Sequence, residues 1–179
     1  MLVIENTALL VVDMQVKLTR AMAEKESLVT NVQKLIAGMK VLDIPVIFTE
    51  QYPQGLGATI PKITNLLTEI KPITKMSFSC CGNEEFLQKV KGLNKKQLLI
   101  AGIEAHVCVY QTVCDLRTMG YEVQAVADCV SSRTLENKAI ALAKMRDNGS
   151  QVTSMETALF ELLKTAESKY FKEISMIVK

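Results

Sequence analysis

The stretch QLLIAGIEAHVCVYQTVCDLRTMGY, residues Gln97 to Tyr121, contains the transition that decides the fold. It opens with an apolar run that reaches Gly102, and the residues from about Val107 to Met119 follow a helical pattern. An apolar run without alternation is typical of a strand buried on both faces of a sheet. We therefore interpret the stretch as a buried strand that leads into a helix, with Cys108 near the joint.

The rest of the chain repeats this alternation of short apolar runs and amphipathic stretches. Strands are predicted at residues 7–14, 44–51, 96–103, 121–130 and 151–155, with a short strand within 71–79. Helices are predicted at residues 27–42, 83–92, 107–119, 134–149 and 156–164, with Ser27, Asn83 and Thr134 as N-caps. The turn-rich residues 52–61 are predicted to form a loop. This order predicts an α/β fold, a three-layer Rossmann-like sandwich with a mostly parallel central sheet flanked by helices.

Composition limits the classes of protein that this chain can represent. Of its 179 residues, 49% are apolar and 22% are charged, a balance that predicts one soluble globular domain over residues 1–179. The net charge of +2 comes from interspersed lysines and acids, so we expect no nucleic-acid partner. The first residues predict neither a signal peptide nor a membrane span. Five cysteines without framework spacing predict reduced thiols and a cytoplasmic location.

Polar residues follow the predicted strands at the points where they end. They are Asp13, Glu50 and Gln51, residues 104–108, and residues 128–132. In open parallel sheets, ligands bind beyond the carboxyl ends of the strands. The first strand is followed by no glycine, which excludes the Gly-x-Gly-x-x-Gly turn of an NAD-dependent oxidoreductase. Functional residues are therefore expected at this edge of the sheet, without a dinucleotide.

Cys108 can be a buried core residue or a nucleophile. Free amides and the helix dipole at a helix start are expected to lower the pKa of the thiol and to hold an oxyanion. A nucleophilic thiol needs a proton acceptor, for which His106 and Asp13 are both candidates, and Lys75 could stabilise the resulting charges. Most buried free cysteines are inert, Asp13 could simply finish a strand, and Lys75 could be a solvated lysine. From the residues alone, both interpretations stay open.

Several blocks of the chain resemble the isochorismatase-like cysteine hydrolase superfamily. They are ALLVVDMQ, KMSFS and IAGIEAHVCVYQTVCDLRTMGYEV, in that order. The blocks FTEQYPQGLG, ADCVSSRT and TSMETALFELL look like the metal-free branch of small, uncharacterised hydrolases within it. The resemblance covers the chain from about Thr7 to Leu163. It implies a Rossmann-like fold and a catalytic triad that maps to Asp13, Lys75 and Cys108.

The resemblance also implies a mechanism. Asp13 would take the proton of Cys108, whose sulfur would attack a small amide, release an amine or ammonia, and leave a thioester for water to hydrolyse. A cis peptide bond expected at Ile103–Glu104 would turn a backbone N–H near Ala105 toward the oxyanion, beside that of Cys108. Glu104 itself can be a surface or subunit-contact carboxylate.

Departures from better-known relatives narrow the expectation. Nicotinamidases of the superfamily bind a metal through an Asp and histidines, whereas this chain has one histidine, His106. One histidine does not make a familiar zinc site, so we predict no catalytic metal and no cofactor. True isochorismatases cleave a vinyl ether without a nucleophilic cysteine, so Cys108 argues against that reaction.

The remaining candidate residues are assigned by position alone. Four of them could line a substrate pocket: Gln15, Leu18, Tyr52 and Phe78. For Gln15, a structural hydrogen bond is an equally good interpretation. For Leu18, Tyr52 and Phe78, the alternative interpretation is packing in the core. The other cysteines are interpreted as structural, with a reservation for Cys80: Cys80, Cys81, Cys114 and Cys129.

Two hypotheses of function and one of assembly follow. The first is a cofactor-free cysteine hydrolase of a small-molecule amide C–N bond, and the second is a ligand-binding or scaffold protein without turnover. The tail at about 166–179 has apolar residues at helical spacing, and it either covers the domain or docks on another subunit. The resemblance favours docking and thus a homo-oligomer, dimer or higher.

Overall fold

Six apolar segments form one central sheet in the computed structural model, which describes residues 1–179. The strands are β1 (Thr7–Val12), β2 (Val46–Gln51), β3 (Ile73–Lys75), β4 (Gln97–Ile103), β5 (Glu122–Ser131) and β6 (Gln151–Thr153). Their order is β3-β2-β1-β4-β5-β6, and every neighbouring pair is parallel. The predicted three-layer α/β fold with a parallel sheet is confirmed.

The strand order places a topological switch point between β1 and β4. The chain builds outward from β1 to β3 and then returns to lay β4 on the other side of β1. Crossover connections therefore leave in opposite directions from these two central strands, which opens a crevice at their carboxyl ends. Asp13 follows β1 and Cys108 follows β4, so both lie at this crevice.

Helices cover both faces of the sheet. They are α1 (Val16–Arg20), α2 (Lys25–Val41), α3 (Pro53–Leu56), α4 (Pro61–Thr64), α5 (Glu84–Gly92), α6 (Tyr110–Thr118), α7 (Leu135–Asp147), α8 (Met155–Leu163) and α9 (Phe171–Val178). Apolar side chains of α2, α8 and α9 pack on one face, and those of α5, α6 and α7 pack on the other. None of the helices is both long enough and apolar enough to cross a bilayer.

Alternation along the strands divides the core into two layers. In β1, Leu9 and Val11 pack into the first layer, while Leu10 and Val12 pack into the second. Cys108 belongs to the second layer, on the face covered by α5, α6 and α7. Every residue of β1 is buried, so this strand exposes neither face to water, which explains why its sequence is continuously apolar.

Two of the three predicted helix N-caps are confirmed. Asn83 accepts a hydrogen bond of 2.9 Å from the Phe86 N–H, and Thr134 accepts one of 3.2 Å from the Asn137 N–H. The third prediction is wrong, because α2 begins at Lys25, two residues before Ser27. Ser27 thus lies inside the first turn, where its hydroxyl donates to the Glu24 carbonyl at 2.9 Å instead of accepting from an amide.

The segment 52–61 contains more regular structure than the predicted loop. It holds α3 and the first residue of α4, and each of these short helices begins with a proline. Proline suits the first helical position because its φ is already helical and its missing N–H would have no partner there. The turn-forming residues thus begin two helical turns here as well as a loop.

The C-terminal tail covers its own domain. Ile174 of α9 is completely buried in the first core layer, and Ile177 and Val178 pack against that layer. Lys34 Nζ donates to the Val178 carbonyl at 3.0 Å, which ties α9 to α2. The apolar spacing of the tail is therefore explained within one chain, and a subunit contact by the tail stays a prediction.

Candidate active site

Asp13 turns the chain sharply as it leaves β1. Its φ is +48°, a left-handed conformation that Asp tolerates better than most residues. The turn is held by the Asp13 N–H, which donates to the Thr49 carbonyl at 3.2 Å, and by the Asp13 carbonyl, which accepts from the Gln15 N–H at 2.7 Å. Asp13 is completely buried.

The Asp13 carboxylate forms a buried ion pair with Lys75, at the end of β3. Lys75 Nζ lies 2.6 Å from Asp13 Oδ2, and both side chains have no exposed surface. The ammonium also donates to the carbonyls of Ser77 and Phe78 at 3.2 and 3.1 Å, so all three of its hydrogens have acceptors. Thr49 Oγ1 donates to the second carboxylate oxygen, Asp13 Oδ1, at 2.7 Å.

The pKa of Lys75 reflects this pairing. Burial alone would lower it, but the charges of Asp13, Cys80 and Cys108 and the hydrogen bond to Asp13 together raise it above its ordinary value. Lys75 is therefore a protonated ammonium at neutral pH. Of the two interpretations given for Lys75, the solvated lysine is not the one observed, since the side chain is enclosed.

Cys108 lies in a widened turn between β4 and α6. Residues Ala105–Val109 form a π-helical turn, in which the Val109 N–H reaches back five residues to the Glu104 carbonyl at 3.2 Å. The Ile103–Glu104 peptide bond that precedes the turn is cis. Cys108 is 4% exposed, so its sulfur lies just below the surface.

The structure brings Asp13, Lys75 and Cys108 together, but the expected effect on the thiol is reversed. Burial raises the pKa of Cys108 to about 12, and the charge of Asp13 raises it further than Lys75 lowers it. The prediction that helix amides lower this pKa is therefore wrong. The physical reason is that the sulfur is enclosed and lies beside a carboxylate, and both effects disfavour a thiolate.

Gln51 contacts the sulfur directly. Gln51 Oε1 lies 3.2 Å from Cys108 Sγ and can accept the thiol hydrogen, while Gln51 Nε2 donates to the Met76 carbonyl at 3.3 Å. Gln51 was expected at this edge of the sheet without an assigned role, and Thr49 was not among the predicted residues. Residues two apart in a strand point to the same side, so Thr49 and Gln51 both face the side of the sheet on which Cys108 lies.

Gln15 has a structural role in this arrangement. Its Nε2 donates to the carbonyls of Gln51 and Gly57 at 2.9 and 2.6 Å, and its Oε1 accepts from the Gln51 N–H at 2.8 Å. The side chain is completely buried. Of the two interpretations given for Gln15, the structural hydrogen bond is therefore the one observed, and it fixes the backbone of Gln51.

The other predicted pocket residues divide into two groups. Leu18 packs against the first core layer, on the face of the sheet opposite Cys108. Tyr52 and Phe78 are about half exposed, at 48% and 53%, and each is adjacent in sequence to a group that contacts the site. A pocket role for Tyr52 and Phe78 stays a prediction, whereas a pocket role for Leu18 is not supported.

His106 and Glu104 point to other partners. His106 Nδ1 lies 2.9 Å from Ser132 Oγ, and Glu104 Oε2 accepts from Arg133 Nε at 2.9 Å. Both contacts join the π-helical turn to the segment after β5. Among the two proton acceptors considered for Cys108, the geometry favours Asp13. No three His, Cys, Asp or Glu side chains lie close enough together to form a metal site.

All five cysteines are free thiols, and Cys80 lies near the candidate site in addition to Cys108. Cys80 Sγ lies 3.9 Å from Thr49 Oγ1, and Cys80 is completely buried. Burial raises its pKa to about 11, although Lys75 lowers it. Cys80 is thus a second neutral thiol beside the ion pair.

Comparison with known proteins identifies the family. A model of the isochorismatase domain matches residues 7–157. The secreted isochorismatase effector Isc1 of Phytophthora sojae is 34% identical over 99% of this chain and 87% of its own length. The isochorismatase domain-containing protein 2 of Danio rerio is 36% identical over 97% of this chain and 87% of its own length.

A solved structure has the same fold. The MAR1 ribonuclease of Caenorhabditis elegans is 35% identical, with a TM-score of 0.93 over 99% of this chain and 91% of that chain. The chain therefore belongs to the isochorismatase family and has its hydrolase fold. Because one relative is described as secreted, the cytoplasmic location stays a prediction.

Proposed function

We propose that this isochorismatase-family protein is a cysteine hydrolase that cleaves the C–N bond of a small-molecule amide through a thioester. Asp13, Lys75 and Cys108 are its proposed catalytic residues. The observation that carries the proposal is the completely buried Asp13–Lys75 pair, 2.6 Å apart, beside a cysteine sulfur at the switch point of the sheet. A buried ion pair is costly to enclose, and a functional role accounts for it better than stability does.

The first step forms a carbon–sulfur bond. Because burial and the charge of Asp13 raise the pKa of Cys108, its sulfur is a neutral thiol at pH 7 and must lose its proton as it attacks. Asp13 accepts that proton, and each of its oxygens has a free acceptor site besides those used by Thr49 and Lys75. The substrate carbonyl becomes an oxyanion, toward which the backbone N–H groups of Ala105 and Cys108 would donate.

The second step releases the amine, and the third restores the thiol. Asp13 returns its proton to the substrate nitrogen as the C–N bond breaks, which leaves a thioester on Cys108. Water then attacks the thioester carbonyl and gives one proton to Asp13. The carbon–sulfur bond breaks, and Asp13 returns that proton to the Cys108 sulfur. The net change is one amide and one water converted into a carboxylic acid and an amine. Lys75 remains an ammonium throughout and balances the charge of Asp13.

Access to the sulfur limits the substrate to a slim acyl group. Cys108 is 4% exposed, so little of its side chain is open to an incoming group. A folded protein or a duplex nucleic acid cannot reach a sulfur at that depth without rearrangement. The proposal therefore specifies a small molecule.

The experiment compares wild type with Cys108→Ala across a panel of small primary and secondary amides, with ammonia or amine release as the readout. Turnover that is lost in Cys108→Ala supports the proposal. Amide turnover that the variant retains overturns it. An RNA substrate is included because a 35% identical relative is named a ribonuclease, and RNA cleavage without amide cleavage would also overturn the proposal.

The raised pKa of Cys108 also fits a second function, a ligand-binding or scaffold protein that does not turn substrate over. Ligand binding without turnover in either protein would support that function. A homo-oligomer, dimer or higher, stays a prediction of both, and sedimentation velocity measures it directly.

A further inference from the structure

The amide of Gln51 is held in one orientation beside the sulfur. Gln51 Nε2 donates to the Met76 carbonyl at 3.3 Å, which leaves Oε1 turned to Cys108 Sγ at 3.2 Å. The backbone of Gln51 is fixed on both sides by the buried side chain of Gln15. An acceptor oxygen is therefore presented to the reacting atom by a preorganised support.

This acceptor changes partner during the proposed reaction. In the resting protein the thiol hydrogen satisfies Gln51 Oε1. When the thiol proton is transferred to Asp13, Gln51 Oε1 loses its hydrogen-bond donor. It then faces an electron-rich sulfur. A partly buried acceptor that has lost its donor gains a hydrogen bond from a substrate that brings an N–H to this position, so the site then favours such a substrate.

We propose that Gln51 is a specificity-determining residue that selects electrophiles whose carbonyl carries an N–H, over esters and over amides without an N–H. This inference rests on the proposed function and names its substrate class: primary or secondary carboxamides. An N–H of such a group donates to Gln51 Oε1. An ester oxygen at the same position would be a second hydrogen-bond acceptor facing Oε1, and the two oxygens would repel each other. The preference arises because the mismatched group leaves Gln51 Oε1 without a hydrogen-bond donor.

The position of Gln51 supports a contact with substrate. Its side chain is partly exposed while the sulfur is nearly enclosed, so it lies on the solvent side of Cys108. Gln15, in contrast, is completely buried with its side-chain nitrogen and oxygen both engaged, and is available only as support. Thr49 and Lys75 hold Asp13 and are likewise engaged.

The test uses two alkylating probes, iodoacetamide and methyl iodoacetate, which differ in the group on the same carbonyl: an NH₂ or an O–CH₃. The rate of Cys108 modification by each probe is measured by mass spectrometry at pH 9 and divided by the rate for glutathione. The ratio of the two normalised rates is unaffected by a change in thiol pKa, because that change acts on both probes. Only samples in which the completely buried Cys129 stays unmodified are compared, so that the rates report the folded protein. The ratio therefore isolates the contribution of the N–H.

Wild type is expected to prefer iodoacetamide by roughly three- to tenfold, the effect of one neutral hydrogen bond. Gln51→Leu should bring the ratio to that of glutathione, while the matched surface variant Gln88→Leu should leave the wild-type ratio unchanged. A wild-type ratio equal to that of glutathione, a preference that Gln51→Leu retains, or no modification of Cys108 by either probe would each overturn the inference. Failure of the hydrolase proposal would appear elsewhere, as amide turnover that does not depend on Cys108.

Discussion

The Thr49 hydroxyl donates a 2.7 Å hydrogen bond to Asp13 Oδ1, the carboxylate oxygen that Lys75 does not hold. Thr49 thus fixes the plane of the carboxylate from the neighbouring strand, and all of these atoms are buried. A buried carboxylate oxygen that loses its donor pays the cost of desolvation without compensation.

Thr49→Val keeps the shape of the side chain and removes only this donor. We expect it to lower the free energy of unfolding by about 1–3 kcal/mol, because Asp13 Oδ1 would then lack a partner in the core. Urea unfolding measures the change. Thr30→Val, on the exposed side of α2, is the matched control and should stay within about 0.5 kcal/mol of wild type. An equal effect of both substitutions would contradict the role assigned to Thr49.

Lys75→Met should destabilise the fold far more than a typical surface substitution. It leaves the Asp13 carboxylate buried without its countercharge, for which we expect a loss of about 3–5 kcal/mol. Combining it with Asp13→Asn removes both charges, so the double variant should be more stable than the sum of the two losses predicts. Lys25→Met breaks an exposed 4.0 Å pair with Glu26 and serves as the control, with a change within about 0.5 kcal/mol. Additive losses in the double variant would show that the buried charges are not coupled.

Asp13→Asn should have opposite effects on the alkylation of Cys108 and on the proposed hydrolysis. The charge of Asp13 raises the thiol pKa and that of Lys75 lowers it, so the substitution should lower the pKa of Cys108. Alkylation by iodoacetamide at pH 7.5 then becomes faster, by about tenfold for each unit by which the pKa falls. Hydrolysis is lost, because the proton acceptor is gone. Lys75→Met should instead slow the alkylation.

Peptide mapping distinguishes this effect from unfolding. Cys129 is completely buried in the other core layer, so its modification reports loss of structure. Faster alkylation of Cys108 with Cys129 unmodified supports the electrostatic account. Slower alkylation of Cys108 in a folded Asp13→Asn variant contradicts it.

The fold was predictable because its main determinants are local patterns. Continuous apolar runs gave the buried strands, and amphipathic spacing gave the long helices between them. The positions of Asp13 and Cys108 followed from one rule about the carboxyl ends of parallel strands. The short helices α3 and α4 escaped prediction because proline and glycine are equally typical of turns.

The properties of the site were less predictable than its location. The pKa of Cys108 depends on enclosure and on its distance from Asp13, which lies 95 residues earlier in the chain, and no local pattern reports either quantity. The sides of the sheet that Gln51 and Thr49 face could have been predicted from the sequence. In FTEQ, the alternation of a strand places these two residues on one side and Glu50 on the other. Glu50 indeed bonds to the N–H and hydroxyl of Thr59, away from the sulfur.

Alkaline pH should destabilise the protein through its buried thiols. Burial raises the pKa of Cys80 to about 11, that of Cys81 to about 12 and that of Cys108 to about 12, from an ordinary value of 9.0. Above pH 9 the unfolded chain loses these protons while the folded chain keeps them. The free energy of unfolding therefore has its full value below pH 9. It falls as pH rises toward 11–12, by up to about 1.4 kcal/mol per pH unit for each thiol.

Urea unfolding at intervals from pH 8 to pH 11 measures this fall. Cys80→Ala should make the free energy of unfolding fall less steeply between pH 9 and 11, because one of the three thiols is removed. Lys75, whose folded pKa is also raised, should add a loss in the same direction above pH 10.5. Constant stability from pH 8 to 11 would contradict the assigned pKa values.

Gly102→Ala tests whether the close approach of the two central strands is required for the fold and the site. Gly102 pairs with Val12 at a φ of +112°, and a Cβ there would lie 2.0 Å from the Val12 carbonyl oxygen and 2.5 Å from the Val12 nitrogen. Backbone atoms cannot move aside as a flexible side chain can, so β1 and β4 would have to separate just before Asp13 and Cys108. We expect a loss of about 4 kcal/mol or more, or failure to fold.

Gly92→Ala is the matched control for this substitution. Gly92 ends α5 without a left-handed φ, and its Cβ would meet nothing within 4 Å beyond its chain neighbours and the backbone of its own helix. Alanine should stabilise the helix there by up to about 1 kcal/mol. We therefore expect the two Gly→Ala substitutions to change the free energy of unfolding in opposite directions, which urea unfolding measures. A Gly102→Ala variant as stable as wild type would mean that the strands can part without cost, and the fixed placement of Asp13 beside Cys108 would lose its structural basis.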